Sequence, residues 1–508
     1  MLRGGASPVF ACKVRLRSAH RHRQRGSARS SEFHRLGPPQ ESLPIMVAAT
    51  ARTQSPPHSS PHRPRLAHGG AVVCAVWLAA ACNQAFGLDP VVRGDAAAGD
   101  VGDAVDVGDA PACEPHAAGQ VAGGAALEGV FMNGVAAVVR HGDRLFLFGV
   151  HNTRGTDGAL AAISLPPPTQ MPMWTTRSIG GASNDQLWAA ASTGDEFLAG
   201  GMTRSFQTST LDEGLLLRLD STNTLTSRRL RAGVAIQVRA VAAAPPGEWW
   251  LAGAAGTNDG FVARLNPMTT TVAAIPFTID GSRPVPRRIV DAPDDGSAPF
   301  VVGQLGGGTG TGFVARIDSD PVVEDSSWAV TVQMEVFDAA WFDASLWVAG
   351  DAGGSGLLLR FDGAGGLLES WRVPSRPLHR VDHRGATTWL GGATNAGLFV
   401  ATIAGDCVTG TDLAMLTPAQ PLRATLPLEV AGDVPYLAGR VGTSARAIPL
   451  GEDGSATCGV PFAVARQQAT ITPTVGVVAA GAPLALAHEP VSTIGAPIGI
   501  AAPAPTCP

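Results

Sequence analysis

Apolar and polar positions alternate in this chain as short runs, with few long helical stripes. Runs of roughly four to eight β-branched, aromatic or small apolar residues stop at clusters of Gly, Asp and Pro, the pattern of strands and turns. One phrase organises the runs: an aromatic, then Leu or Val, then any residue, then Gly. It occurs seven times, as Phe146–Gly149, Phe197–Gly200, Trp250–Gly253, Phe300–Gly303, Trp347–Gly350, Trp389–Gly392 and Tyr436–Gly439. The mean period is about 48 residues, a length that marks a propeller or solenoid array.

After each anchor glycine a turn leads to a second phrase. It reads Gly-Leu-Leu-Leu-Arg-Leu-Asp at Gly214–Asp220 and recurs at Gly260–Asn266, Gly312–Asp318 and Gly356–Asp362. Weaker forms stand at Leu160–Ile163, Phe399–Ile403 and Arg446–Leu450. Two strands joined by a short Gly-rich turn make a hairpin. Trp174, Trp328 and Trp371 mark a third strand, and apolar runs such as Leu187–Ala191 and Val238–Ala243 lie ahead of the anchors. Four strands per repeat make one propeller blade. The expectation is an all-β, seven-bladed β-propeller of four-stranded blades over residues 119–465. Closing a ring takes a strand from both ends of the array, because an open array leaves unpaired edges. The stretches Val121–Phe131 and Cys458–Val464 are both candidates. Residues 466–508 lack the anchor, and Pro483 and Pro490 interrupt them, so they are expected as a short extended extension packed on the propeller.

The stretch from Trp174 through Gly180-Gly181 and Asp185 to Phe197-Leu-Ala-Gly-Gly resembles the bacterial β-propeller repeat known as the SBBP repeat. The Phe-Val-Ala-Arg-Leu strand of the next repeat fits the same pattern. The resemblance covers about 130–460 and is strongest in the second to fifth repeats. It implies the propeller fold and no activity. The Gly-His and Trp-Asp marks of the WD-type propeller are absent, and the kelch double glycine, seen at Gly200-Gly201, does not run through all the anchors.

The N-terminal region follows another logic. Residues 1–45 are rich in Arg, Ser and His, and read either as disordered or as lying upstream of a true start at Met46. Residues 46–81 read as a signal peptide, with Arg52, Arg63 and Arg65 ahead of the apolar run Ala71–Ala81. The run is too short to span a bilayer. It ends in Leu78-Ala79-Ala80-Ala81-Cys82, which resembles the lipobox of bacterial lipoproteins. The resemblance implies lipidation of Cys82. With Asn83 rather than Asp after the Cys, it also implies the outer membrane. Ala79 stands where the family carries Leu, so ordinary cleavage at the small residues stays open. Residues 82–118, with Asp95, Asp100, Asp103, Asp106 and Asp109, read as an acidic linker between lipid and domain.

Composition removes several chemistries. The only lysine among 508 residues is Lys13, ahead of the signal peptide. The mature chain therefore has no phosphate-loop lysine and no Schiff-base or Ser–Lys chemistry. A net charge of −5 without a basic stripe argues against a nucleic-acid partner. No Gly-x-Ser-x-Gly elbow occurs, and no cofactor is expected. Gly306-Gly307-Gly308-Thr309-Gly310 lacks a lysine and reads as a hairpin turn. His379, Asp382 and His383 fall on the expected first strand of the sixth repeat. Residues 379 and 383 share a face there and 382 points away, so no metal site is expected and a surface strand is.

If Cys82 carries lipid, Cys113, Cys407, Cys458 and Cys507 remain, an even number in an exported chain. Cys407 and Cys458 occupy matching points of adjacent repeats, beyond the roughly 7 Å Cα limit of a bridge. The two tail cysteines are therefore expected to pin to the two body cysteines.

Arg218, Arg264, Arg316 and Arg360 recur at one register and are expected to pair with nearby carboxylates as scaffold. Function more often sits where a repeat is broken. The longest hairpin turn, Gly201–Glu213, breaks it and carries Arg204, Asp212 and Glu213. Arg154, Asp157, Asn258 and Asp259 lie in neighbouring turns. The reading is a lipid-anchored, non-enzymatic scaffold that binds a protein or glycan at the cell envelope through this face. The alternative is an extracytoplasmic propeller hydrolase or lyase acting on a polysaccharide or lactone. Such an enzyme needs several carboxylates or histidines converging in the channel.

Overall fold

A computed structural model describes residues between Cys113 and Pro497. Outside the described residues lie 1–112, 498–508 and internal stretches that include 116–124, 128–134, 153–155, 165–173, 319–326, 417–427 and 457–458. Cys82, Arg154, Cys458 and Cys507 fall there, as do the expected segments 1–45 and 46–81 and nearly all of the linker. Every described element is a strand.

The strands form consecutive antiparallel meanders. After β1 (Ala125–Leu127), the first meander is β2 (Val135–His141), β3 (Arg144–Asn152), β4 (Thr156–Ser164) and β5 (Trp174–Ile179). The next runs β6 (Asp185–Ser192), β7 (Phe197–Thr203), β8 (Glu213–Leu219) and β9 (Leu225–Arg231). It is followed by β10 (Ile236–Ala244), β11 (Glu248–Ala255), β12 (Asp259–Leu265) and β13 (Thr271–Ile279). Then come β14 (Pro284–Val290), β15 (Phe300–Leu305), β16 (Gly312–Arg316) and β17 (Trp328–Val332), and β18 (Glu335–Phe342), β19 (Ser345–Ala352), β20 (Ser355–Phe361) and β21 (Leu367–Val373). The last repeats give β22 (Leu378–Arg384), β23 (Thr387–Thr394), β24 (Gly397–Ala404) and β25 (Cys407–Leu413), and then β26 (Leu428–Glu429), β27 (Tyr436–Val441) and β28 (Ser444–Pro449). First strands pack on first strands: β2 on β6, β6 on β10, β10 on β14, β14 on β18, β18 on β22, and β26 back on β2. Successive meanders packed first strand on first strand, with their last strands outside, have the architecture of a β-propeller.

β1 pairs with β28, so the N-terminal stretch supplies the outer strand of the last sheet. The rival stretch goes elsewhere, because β29 (Val460–Ala465) pairs with β25. It opens a belt that starts ahead of the boundary expected at 466. The belt continues as β30 (Gln467–Gln468) on β21 and β31 (Thr474–Gly476) on β17. β32 (Val478–Ala480) lies on β13, and β33 (Leu484–Pro490) bridges β13 and β9, fusing two meanders into one ten-stranded sheet. β34 (Ile494–Pro497) ends on β5. The extended C-terminal segment thus pairs edge to edge with the outer strands rather than lying across the sheet faces.

The anchor phrase has a backbone cause. Each of the first six first strands carries a β-bulge opposite its anchor glycine. The glycines pair as Gly149 with Val135, Gly201 with Leu187, Gly253 with Val238, Gly303 with Pro286, Gly350 with Val336 and Gly392 with Leu378. The bulge pushes a carbonyl toward the glycine. A Cβ on Gly201 would lie 1.7 Å from Gln186 O, on Gly253 1.8 Å from Gln237 O, and on Gly392 1.9 Å from Pro377 O. Only hydrogen fits there. This register also corrects the second repeat: its anchor is Gly201, one residue later than the phrase Phe197–Gly200 implied.

The anchor aromatic fills the space between sheets. Trp250 is fully buried among Ile289, Val301 and Phe313 of the following sheet, and its Nε1 donates to Asp291 at 2.8 Å. The repeated arginines are scaffold, as expected. Arg218 pairs with Glu196 at 2.8 Å, Arg264 pairs with Glu248, and Arg360 pairs with Glu369 at 3.4 Å. Arg316 donates to the Ala298 carbonyl at 3.4 Å. The guanidiniums of Arg264, Arg316 and Arg360 lie over Trp250, Phe300 and Trp347, the cross-strand anchor aromatics. The Asp that closes the phrase caps the next turn: Asp362 Oδ1 accepts from the backbone N–H of Ala364 and Gly366. Cys113 is bonded to Cys407, the first residue of β25, with Cα atoms 5.6 Å apart. One tail cysteine is therefore pinned to one body cysteine.

Candidate functional site

A bulge puts one extra residue into a strand and re-aims its side chain. The extra residues of successive first strands are Ala136, Trp188, Arg239, Arg287, Phe337 and His379. They share one structural position and differ in chemistry. They also touch from sheet to sheet. Arg239 lies over the Trp188 ring at 5.0 Å, Arg287 lies over Phe337 at 4.4 Å, and Phe337 meets His379 at 4.1 Å between ring centroids. Phe337 and His379 are buried, and Trp188 and Arg239 are half-buried. The row therefore closes at the later repeats and opens at the second and third.

At its open end the row runs into the long turn singled out in the sequence. Arg204 Nε donates to Asp212 Oδ1 at 2.5 Å, and Gln237 Nε2 donates to Asp212 Oδ2 at 2.6 Å. Arg239 donates to Gln237 Oε1 at 2.7 Å. On the neighbouring first strand Trp188 Nε1 donates to Gln186 Oε1 at 2.9 Å, and Gln186 Nε2 donates to Asn184 at 3.1 Å. The result is a chain of planar polar groups around one indole. Arg204 keeps a half-exposed side chain, and its bond to Asp212 raises its pKa, so it stays charged. Such a surface offers stacking and directional hydrogen bonds.

The other expected residues divide. Asp212 belongs to this chain of groups. Glu213, in β8, turns to Arg229 at 3.3 Å and Arg231 at 3.7 Å, on the outer strand β9. Asn258 and Asp259 sit at the β11–β12 turn and join none of these bonds among the described residues. Asp157 pairs by backbone with His151 in the β3–β4 hairpin. Gln186, Trp188, Gln237 and Arg239 were not legible as site residues. Their only sequence signal is distance: Ala136, Trp188, Phe337 and His379 each stand thirteen residues ahead of the anchor glycine, with Arg239 and Arg287 slightly further.

A second row follows one residue on. Asp338, fully buried, lies between Arg288 at 3.3 Å and Arg380 at 3.5 Å, from the first strands on either side, and accepts from Val381 N–H at 3.0 Å. Burial pushes its carboxyl pKa up, and the two arginines oppose that shift. Arg380 also holds Asp382 at 2.6 Å, and Arg287 holds Glu335 at 2.9 Å. These acids are engaged by arginines. The surface strand expected at 379–383 is corrected here. The bulge places His379 inside, 4% exposed, with its pKa lowered to about 4, first by burial and then by Arg287. His383 stacks on Phe342 at 4.2 Å. Among the described residues no three His, Cys, Asp or Glu stand together as a metal site.

No protein-family model and no curated protein matches the chain. Solved structures give weak likenesses. One is a proposed oxidoreductase (glucose dehydrogenase) from Thermus thermophilus, 14% identical, with TM-score 0.33 over 53% of this chain and 94% of that one. The β-propeller domain of the trilobed protease from Pyrococcus furiosus is 8% identical, with TM-score 0.27 over 55% of this chain and 94% of that one. A prolyl endopeptidase is 12% identical, with TM-score 0.32 over 68% of this chain and 51% of that one. Likenesses this weak carry no argument, and the fold rests on strand pairing alone.

Proposed function

We propose that this protein is a lipid-anchored, cell-envelope β-propeller of seven four-stranded blades that binds a protein or glycan and catalyses nothing. In this reading β6–β9 and β10–β13 are two blades joined by β33, β1 completes the seventh, and the repeats are of the SBBP type. Acyl chains on Cys82 hold the protein at the outer membrane. The observation that carries the binding reading is the open end of the bulge row. There Trp188, Arg239, Gln237, Asp212 and Arg204 form one continuous polar-aromatic surface on a rigid scaffold. The carboxylates nearest the row are committed to arginines, which disfavours the hydrolase or lyase alternative.

The test is recovery of partners from envelope extract and from a panel of envelope polysaccharides. It compares the wild type with a Trp188→Ala, Arg239→Ala double variant whose folding is checked by thermal melt. Loss of recovery by the folded variant supports the surface, and equal recovery rejects it. Turnover of any ester, lactone or glycan by the wild type rejects the non-enzymatic reading. Palmitate labelling that disappears in Cys82→Ala supports the anchor, and equal labelling of both rejects it.

A further inference from the structure

The belt visits the sheets in reverse order, one after another. β29 covers the edge of β25, β30 that of β21, β31 that of β17, β32 and β33 that of β13, β33 that of β9, and β34 that of β5. The next sheet in this direction is the one formed by β26, β27, β28 and β1, because β26 packs against β2. Its outermost strand is β1, which has no strand on its far side among the described residues. Every other outer repeat strand has a belt strand beside it.

We infer that residues 498–508 carry the belt one sheet further and pair with the free edge of β1. Three observations support this occupant. The first is the chemistry of the edge. An exposed strand edge is protected by shortness, charge, proline, a bulge or a covering element. β1, Ala125-Ala126-Leu127, is short but carries no charge, proline or bulge, so nothing in its own residues blocks a further strand. The second is reach. The belt crosses from one sheet to the next in at most five residues, those between β30 and β31. Eleven residues follow Pro497, and extended chain covers roughly 3.3 Å per residue, or about 36 Å. The third is sequence. Ile498-Gly499-Ile500-Ala501-Ala502 is uncharged and apolar like Val478-Ala479-Ala480 and Leu484-Ala485-Leu486, and it stops at Pro503 as β33 and β34 stop at Pro490 and Pro497. Proline ends each piece because it cannot donate to a ladder. This inference is independent of the binding surface and of the lipid anchor.

Hydrogen exchange of the β1 amides tests it, read by mass spectrometry on the exported chain. Two variants are compared with the wild type: one stopped after Pro497, and Ile500→Pro in the full chain, which blocks pairing without shortening. Both are expected to raise exchange at Ala125–Leu127 at least tenfold while β17 and β21 keep their protection. Unchanged exchange in the folded Ile500→Pro variant overturns the inference. So does β1 protection in the wild type that falls on dilution, because the edge would then be covered by a second copy of the chain.

Discussion

The first and second strands of each of the first six repeats share one ladder, yet they obey opposite rules. The second strand repeats itself: an aromatic fills the gap between sheets and a glycine faces the bulge. The first strand keeps the bulge and changes what it carries: Ala136, Trp188, Arg239, Arg287, Phe337 or His379. The repeated residues therefore set geometry, and the residue held by that geometry is left open to chemistry. The difference explains why the scaffold recurs and the surface at Trp188 does not.

The comparison breaks first if the glycine is dispensable. Gly253→Val places side-chain atoms against the Gln237 carbonyl and should destabilise by on the order of 5 kcal/mol. Gly233→Ala, with nothing within 4 Å of its Cβ, should change stability by less than about 0.5 kcal/mol. Similar melts for the two would remove the bulge argument. Next, Trp250→Ala deletes a fully buried ring and should cost about 3–5 kcal/mol in denaturant unfolding. A loss under about 1 kcal/mol would make the anchor aromatic a surface residue.

His379 sharpens the comparison through pH. Its folded pKa, about 4, lies below the unfolded value of about 6.5. As pH falls the unfolded chain takes the proton first. The stability His379 contributes is therefore complete above about pH 6.5 and is lost as pH falls toward 4, up to roughly 3 kcal/mol in all. His379→Phe should flatten that part of the stability–pH curve, and an unchanged slope would assign it to other groups. Arg264→Ala should cost only about 1 kcal/mol, because its pair with Glu248 is partly solvated and much of its effect is the contact with Trp250.

The repeat was legible because its demands are local. The need for hydrogen at Gly253 or Gly392 and for a turn cap at Asp362 leaves the same letter at the same spacing each time. The arginine register and its scaffold role were legible for the same reason. The bulge was not legible, because a bulge has no letter of its own: Trp188, Arg239 and His379 share only a position relative to a distant glycine. That also hid the one-residue slip at Gly201 and turned His379 from an expected surface residue into an interior one. The belt was visible as extended chain, but its partners were not. Pairing of β33 with both β13 and β9 depends on sheets far away in sequence. Of the residues expected on the ligand face, Arg204 and Asp212 join this chain of hydrogen bonds, and they stood out in the sequence because their turn is long. Gln237 and Trp188, which complete the surface, lie on strands that look ordinary.

The most direct test compares the two kinds of position in one experiment. Trp188→Ala with Arg239→Ala removes the variable position, and Arg264→Ala removes a repeated one. Each is carried in the full chain, and each is confirmed folded by thermal melt. Partner recovery from envelope extract should fall at least tenfold for the first and stay within twofold of wild type for the second. Equal recovery by both, or loss only with Arg264→Ala, would contradict the division between a repeated scaffold and a variable binding surface.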